Sequence, residues 1–534
     1  MADSAKILNE KDVERRKDVP EKADGILGTA DLDIPILIKD GMRLHPQPTS
    51  DPLDPLNWTA MRKNSILAIV MSLYFMFTYI TTTTVPSFFD IQEQFGLTVG
   101  EVNWTFAIPA LGLAVGPLIW SSLADIYGRR LIFIVGTVIA LAATIGVAKA
   151  PKYSGYMAGR FFQGFGVSPA STVGLAIIND IFFEYQRGFK TGMWVLALDM
   201  GLLVGPLIGG FMNLVSPAWI NWLSAIFFAV ILIIEIAFLP ETLYPRNQMI
   251  LRMPFTAGSA ATADIEKTER RDSVATEVDL PRSKMLPFIN VKPVPGMRHP
   301  KPWDAALRFV LTFKFLAVFL SVFFYSFAFY WWLLCVITML PIAYETYQPH
   351  IQGLLFIGLI LGTLFSELFT SGKLSDIIIR RLVKKNNGIK TAEMRLWLAY
   401  PAAFLSALGL IIWGISIDKG YHWMVGQVAF FLFAAGIQMG NTVIAAYVVD
   451  CYPLQSMSMI TFYAVLLNFS AFASPFFIAP YVDSVGFTWT FASQGIFTFF
   501  VTVPAIAGIH YFGGRIRAKN GQPSWVNPEY DTLI

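Results

Sequence analysis

Polar and apolar positions along this chain fall into long blocks rather than short alternations. A polar opening of about sixty residues, including KDVERRKDVPEKADG, gives way to a series of apolar runs joined by short polar connections. A run of about eighteen residues or more spans the bilayer hydrocarbon as a helix, because any other backbone would leave peptide groups unpaired in lipid. The pattern predicts twelve such helices, at roughly 65–87, 102–124, 131–149, 155–178, 189–212, 218–239, 309–340, 351–373, 395–417, 422–448, 457–481 and 487–512. Membrane-barrel strands would alternate polar with apolar residues, and these runs do not. The expected fold class is therefore all-α integral membrane. The seventh run is long enough to tilt or to extend past the bilayer.

One polar connection, 241–306, is far longer than the rest and contains TAGSAATADIEKTERRDSVATEVD. Its composition is that of a disordered linker, and it divides the helices six and six. The division predicts a tail over 1–60, a bundle over 61–240, the linker, a bundle over 307–513 and a tail over 514–534. In the linker, RRDS places two arginines just before Ser273, a pattern that basophilic kinases use.

Composition agrees with a membrane setting. Of 534 residues, 55% are hydrophobic and 14% charged, where a soluble chain carries nearer about a quarter charged. The net charge of +3 matters less than its distribution. One set of connections holds Arg129, Arg130, Arg187, Lys190, the run RRLVKKNNGIK, Arg515, Arg517 and Lys519. On the other set, FDIQEQFGLTVGE, NLVSPAW, AYETYQPH and DSVGFTW have no Lys or Arg, leaving Lys149, Lys152 and Lys419 as exceptions. That asymmetry places both termini in the cytoplasm. The opening is not a secretory signal, so the first span is its own insertion signal. The plasma membrane is the default destination, with a vacuolar membrane as the alternative.

The chemistry of most enzyme classes is missing. Cys335 and Cys451 cannot build a disulfide framework or a thiolate cluster, and no HExxH spacing, Walker A loop, GxSxG elbow or GxGxxG after a strand appears. No catalytic residue, cofactor, metal or nucleic-acid partner is expected. The expected partners are a small-molecule substrate, protons and the lipid bilayer, and the expected state is a monomer.

Ionisable groups inside a bilayer are costly and tend to face a cavity or a partner. On helix four, Arg160, Gln163, Gly164, Ser171 and Gly174 share one face at about 100° per residue. Helix five carries Gly192, Gly201, Gly205, Pro206, Gly209 and Gly210. Three of these step by four and make a flat surface for another helix. Asp199 lies about 160° round from Gly201, so it points away from that surface and towards a cavity or an inter-helix partner. A carboxyl at such depth suits proton exchange or a structural hydrogen bond. Glu367, with Thr363 and Ser371 a turn to either side, suits a proton or cation site or a gate. Glu235 and Asp180 lie near helix ends, where side chains can snorkel. Tyr74, Thr78 and Thr82 on helix one (with Thr81), Tyr325 and Tyr330 on helix seven, Gln438 and Asn441 on helix ten (with Thr442) and Asn468 on helix eleven suit the lining of a substrate cavity. Trp331 and Trp332 fit equally well as interface anchors.

These residues carry a family resemblance. Two six-helix groups and SSLADIYGRR, with Asp125, Gly128, Arg129 and Arg130 in place, resemble the major facilitator superfamily over roughly residues 50–515. Ser121 and Ile126 depart from that loop signature, while GKLSD with Asp376 is similar to its counterpart in the second half. The resemblance implies two pseudo-symmetric bundles, a cytoplasmic latch at Asp125, Gly128, Arg129, Arg130 and Asp376, and proton coupling at Arg160 and Gln163. The helix-five glycines match the antiporter motif at every defined position, whereas Asp199 falls at an undefined one. PET at Pro240, DPLDPLNW, VVDCYP and WVNPEYD are similar to fungal twelve-helix drug:proton antiporters, a group related to multidrug, secondary-metabolite and polyamine transporters. The implied function is proton-coupled efflux of hydrophobic small molecules (a drug, toxin or fungal secondary metabolite) by alternating access. Proton-coupled uptake of a small cationic amine and a transporter-like sensor are the alternatives. In the efflux reading, Asp199 or Glu367 carries the proton or meets a cationic group.

Overall fold

The computed structural model describes residues 38–39, 42–43, 46–49, 51–246, 249, 292–295, 297, 299–386 and 391–526. Most of the linker, including Ser273, lies outside the described residues. Among those described, twelve helices are long and apolar enough to cross a membrane.

Local chemistry explains several boundaries. The first span, Ala60–Thr82, starts at Thr59, whose hydroxyl accepts the Arg62 N–H. The second, Val99–Tyr127, opens with a reciprocal Thr98–Glu101 capping box. The third, Arg129–Ala148, follows at once because Gly128 takes φ 102°, a backbone that L side chains rarely adopt. The fourth, Tyr153–Ile181, is two stretches that meet at Ser168–Pro169. The fifth is Glu184–Asn213 and the sixth Pro217–Phe238.

The seventh prediction needs correcting. The apolar run expected as one helix is a short lead-in helix, Asp304–Thr312, then a turn at Phe313–Phe315, then the span Leu316–Ala343. A π-turn at Ser326–Tyr330 interrupts that span. Every residue of the turn is apolar or flanked by apolar residues, so hydropathy alone does not reveal it. The eighth, ninth and tenth spans are Pro349–Ser371, Ala392–Asp418 and Trp423–Cys451. The eleventh begins at Ser456 and the twelfth ends at Asn520, with the break between them at Gly486, φ 79°.

The helices form two bundles with the same packing plan. In the first half, the first span packs on the fifth, the second on the fourth, and the third on the fourth and sixth. In the second half, the seventh packs on the eleventh, the eighth on the tenth, and the ninth on the tenth and twelfth. This repetition is the internal pseudo-symmetry of transporter folds. The halves meet along the second and eleventh spans and along the fifth and eighth. Large apolar side chains such as Phe238 (69% exposed) and Phe500 (68%) point outward, as a bilayer solvent allows.

The first and fifth spans pack backbone to backbone. Side chains at Gly201, Gly205 and Gly209 would run into the carbonyls of Phe75, Tyr79 and Thr83. In return, Thr78 Oγ1 donates to the Leu198 carbonyl (2.5 Å) and Thr82 Oγ1 to that of Leu202 (2.8 Å).

On the face where the linker enters and leaves, the approach to the first span folds back on the bundle. The fully buried Asp54 accepts from Thr49 N (2.9 Å), Leu56 N (3.0 Å) and the Arg246 guanidinium (2.9 and 3.2 Å). Tyr244 donates to Asp51 (2.9 Å), and Arg246 also reaches the Asp180 carbonyl (3.3 Å). Burial would raise the Asp54 pKa, but Arg246 and the N–H donors outweigh it and hold the carboxyl below its usual range.

Candidate functional site

Two carboxylates at depth, Asp199 from the fifth span and Glu367 from the eighth, converge on the tenth span. Asn441 and Gln438, three residues apart, share a face of that helix. Asn441 Nδ2 donates to Asp199 Oδ2 at 2.8 Å, a bond from the second half to the first. Gln438 Nε2 (2.9 Å) and Thr442 Oγ1 (3.0 Å) donate to Glu367 Oε2. Asn441 in turn accepts from Tyr463 of the eleventh span. Asp199 is 2% exposed, and its Oδ1 has no hydrogen-bond partner.

Aromatic rings enclose this carboxylate. Tyr74, Tyr325, Tyr330 and Tyr463, from the first, seventh and eleventh spans, lie close enough to feel its charge. Each is buried to 3% exposure or less. Tyr74 stacks on Trp194 at 4.1 Å and 8°, fixing its ring, and Tyr325 lies 6.2 Å from Tyr463. A carboxylate buried among tyrosines attracts a positively charged nitrogen on an apolar frame.

The fifth-span glycines serve two neighbours. Gly201, Gly205 and Gly209 admit the first span, as described. A side chain at Gly192 would strike the Glu367 carboxylate, and one at Gly210 would come within 2.6 Å of the Pro349 carbonyl on the eighth span. Pro206 belongs to this second face, its carbonyl close to Gly353. One face of the fifth helix thus closes its own bundle while the other meets the opposite bundle.

Arg160 belongs to another cluster. Its guanidinium donates to the carbonyls of Ile80 (2.6 Å), Thr81 (3.3 Å) and Thr105 (3.2 Å), to Thr84 Oγ1 (3.2 Å) and to Gln163 Oε1 (3.1 Å). Gln163 passes the chain on to Thr144 (3.1 Å). The pair ties together the first four spans, and none of these bonds ends on a carboxylate.

Four further expectations meet a different geometry. Thr78 and Thr82 give their hydroxyl protons to the fifth-span backbone instead of presenting them to a cavity. Asn468 donates to Ala464 of its own helix (2.7 Å) and does not join the Asp199 cluster. Glu235, placed near a helix end, does not snorkel: it is fully buried, and neither carboxylate oxygen has a hydrogen-bond partner. Trp331 and Trp332 pack on Phe477 of the eleventh span, at 5.0 and 6.4 Å.

Asp125, Gly128, Arg129 and Arg130, the residues of the loop signature, cluster on the linker face. Arg129 pairs with Asp125 (2.6 Å) and Asp180 (3.5 Å). Glu241 accepts the backbone N–H of Arg129 (2.9 Å) and Arg130 (3.2 Å), and Gly128 leaves room for its carboxylate. Arg130 caps the sixth span at the Ile236 carbonyl (2.8 Å). The second half repeats the theme with Arg395–Asp450 (2.5 Å) and Glu393–Arg517 (2.6 Å). The Asp376 side chain lies outside the described residues. Sequence reasoning passed over Tyr463, Trp194 and the Arg395–Asp450 and Glu393–Arg517 pairs. Projecting Arg129 and Asp180 through the pseudo-repeat onto the second half is the signal that would have found Arg395–Asp450.

Contacts join the halves on both faces. On the linker face, Ser121 meets Thr461 (3.2 Å) and Asn179 donates to Ser456 (3.4 Å). On the other, Trp104 contacts Phe476 (6.2 Å between rings) and Gly210 abuts Pro349. The Asp199 cluster is buried between them, an occluded arrangement.

Twelve spans in two matched bundles, closed over a buried carboxylate, define a transporter-class membrane protein. The profile of the Major Facilitator Superfamily matches residues 67–453, and the chain belongs to that family. Its family and fold are those of transporters of small-molecule substrates, not of enzymes. It is 26% identical to an uncharacterised transporter, C1529.01, of Schizosaccharomyces pombe, over 94% of this chain and 98% of that one. It is 27% identical to an MFS-type efflux pump, MFS2, of Trichophyton rubrum, over 88% and 76%. Among solved structures, the E. coli xylose transporter XylE in a partially occluded inward-open conformation matches with TM-score 0.57. That match has 14% identity and covers 85% of this chain and 98% of that one.

Proposed function

We propose that this chain exports hydrophobic small molecules carrying a basic nitrogen, in exchange for protons, by alternating access. The observation that supports this most directly is the single free oxygen of Asp199, enclosed by four tyrosines at the junction of the halves. A cationic substrate and a proton compete for that carboxylate, and competition for one group is the simplest chemistry of exchange. Glu367, sharing the tenth-span face, is the second proton site. Arg160 and Gln163 act as a helix pin that keeps the first bundle rigid while the site titrates. The linker face is cytoplasmic, as its basic residues favour. There Asp125, Gly128, Arg129 and Arg130 latch the gate when the cavity opens outward. The plasma membrane is the proposed location. The likeness to an efflux pump agrees with export.

Proteoliposomes with an imposed pH gradient, clamped at zero membrane potential, test this with a panel of aromatic amines. Exchange accumulates a transported amine on the proton-rich side, about tenfold per pH unit for one proton. Accumulation on the proton-poor side would establish uptake instead. Asp199→Asn keeps an oxygen for Asn441 but removes the charge, and it is expected to abolish the response to the gradient. An unchanged pH profile at equal expression removes Asp199 from the mechanism.

A further inference from the structure

The lead-in helix before the seventh span has a task that the transport site does not explain. Its inner face joins the two halves: Ala305 N donates to Ser122 Oγ of the second span (3.0 Å). Phe309 and Phe313 pack on Phe462 of the eleventh, at 5.3 and 5.0 Å between rings. Its outer face is uncovered. Trp303 (63% exposed), Leu307 (54%) and Val310 (62%) form an apolar stripe at i, i+4 and i+7, and Lys314 extends it by one turn.

The position of this stripe fixes what covers it. The seventh span begins at Leu316, two residues beyond Lys314, so the helix lies at the boundary of the hydrocarbon. A tryptophan followed by aliphatic residues at that level matches the preference of interfacial helices. Charge then narrows the class of lipid. Over 292–316 the sequence carries Lys292, Arg298, Lys301, Arg308 and Lys314 against one acid, Asp304. Lys301 folds over the Trp303 ring at 5.8 Å, next to the stripe.

We propose that the helix Asp304–Thr312 is an interfacial anchor for anionic phospholipid in the leaflet on the linker side. Because the same helix bonds the second span and packs on the eleventh, lipid that seats it also holds that gate closed. The linker-face gate is then stabilised by anionic headgroups, whatever the substrate.

The test uses the full chain in vesicles of phosphatidylcholine, with and without phosphatidylserine. Spin labels at Leu307→Cys and Val310→Cys report depth, while labels at Gly188→Cys and Lys384→Cys report the separation of the halves on the linker face. Cys335 and Cys451 are buried and stay unlabelled. The expected result is lipid-immersed labels at 307 and 310 and a closed-to-open ratio that rises with phosphatidylserine, roughly fivefold for each basic side chain engaged. The double variant K301Q/K314Q, read at the same two pairs, keeps the depth and loses the lipid response. Water-exposed labels at 307 and 310 overturn the anchor. Immersed labels with a gate indifferent to phosphatidylserine overturn the coupling.

Discussion

Replacing Gly201 by alanine isolates the contact that builds the first bundle. A Cβ there meets the Phe75 carbonyl carbon at 2.9 Å and Thr78 Oγ1 at 2.6 Å, and backbone cannot yield as a side-chain tip would. Relief requires the first and fifth spans to separate, which breaks the Thr78–Leu198 and Thr82–Leu202 bonds. Inter-helix bonds in a bilayer average about 0.6 kcal/mol each, and forcing a methyl into a packed site adds about 1–3 kcal/mol. The sum, roughly 2–4 kcal/mol, lowers the melting temperature of a bundle of this size by about 5–15 °C. Gly188 on the same helix is the matched control, since nothing lies within 4 Å of its added Cβ. Detergent-solubilised G201A and G188A, heated and assayed by size-exclusion fluorescence, should differ by that interval. Equal melting temperatures would refute the backbone-contact reading of the glycine motif.

Gly192→Ala acts on the same helix through a different neighbour: it displaces Glu367 from Gln438 and Thr442 and shifts the pH profile of transport. In an E367Q background the shift should shrink to nothing, and full additivity would show that Gly192 does not act through Glu367. Arg160→Lys keeps the charge but replaces a planar fork by a point donor, leaving two or more buried acceptors unpaired at about 1–3 kcal/mol each. A variant as thermostable as the native chain would remove the helix-pin role. Asp54 is held below its ordinary value of 3.8, so its contribution is complete above that value and lost as pH falls through the folded pKa. Amide protection at residues 51–58, taken against the intrinsic exchange rate at each pH, should therefore fall on acidification below that range, whereas D54N should be poorly protected at neutral pH already.

The helices were legible because hydrocarbon leaves the backbone no alternative, so a long apolar run carries its own structure. The turn at Phe313–Phe315 was not, because the lone Lys314 sits between apolar runs on both sides and does not interrupt the hydropathy average. Asp199 and Glu367 stood out as charges at depth, and the angular position of Asp199 put it off the Gly201 face, where it bonds Asn441 with Tyr74 of the first span nearby. Its partner was beyond reach: Asn441 lies 242 residues away, and nothing in either helix encodes which faces meet. Thr78 and Thr82 misled for a related reason. A hydroxyl on a membrane helix serves a ligand or a neighbouring carbonyl with the same spacing, and only the closeness allowed by Gly201 and Gly205 decides between them. Glu235 misled through position, since nearness to a helix end permits snorkelling only where the side chain faces outward.

The unequal character of the contacts says where such a molecule can move. Within the first bundle, glycines and threonines bring backbones together, and Arg160 with Gln163 ties four helices, so this bundle resists internal shear. Between the bundles the bonds are fewer and end on side-chain tips: Ser121 to Thr461, Asn179 to Ser456, Ala305 N to Ser122, Asn441 to Asp199. At about 0.6 kcal/mol for an average bond of this kind, opening the linker face breaks roughly 2 kcal/mol of hydrogen bonding. In the proposed exchange, a cation on Asp199 supplies that by displacing Asn441, because a fully charged pair attracts the carboxylate more strongly than a neutral amide donor does. The Asp199–Asn441 bond is then both part of the site and a tie between the halves. Occupying the carboxylate and loosening the closed state become one event, which is what coupling substrate to conformational change requires.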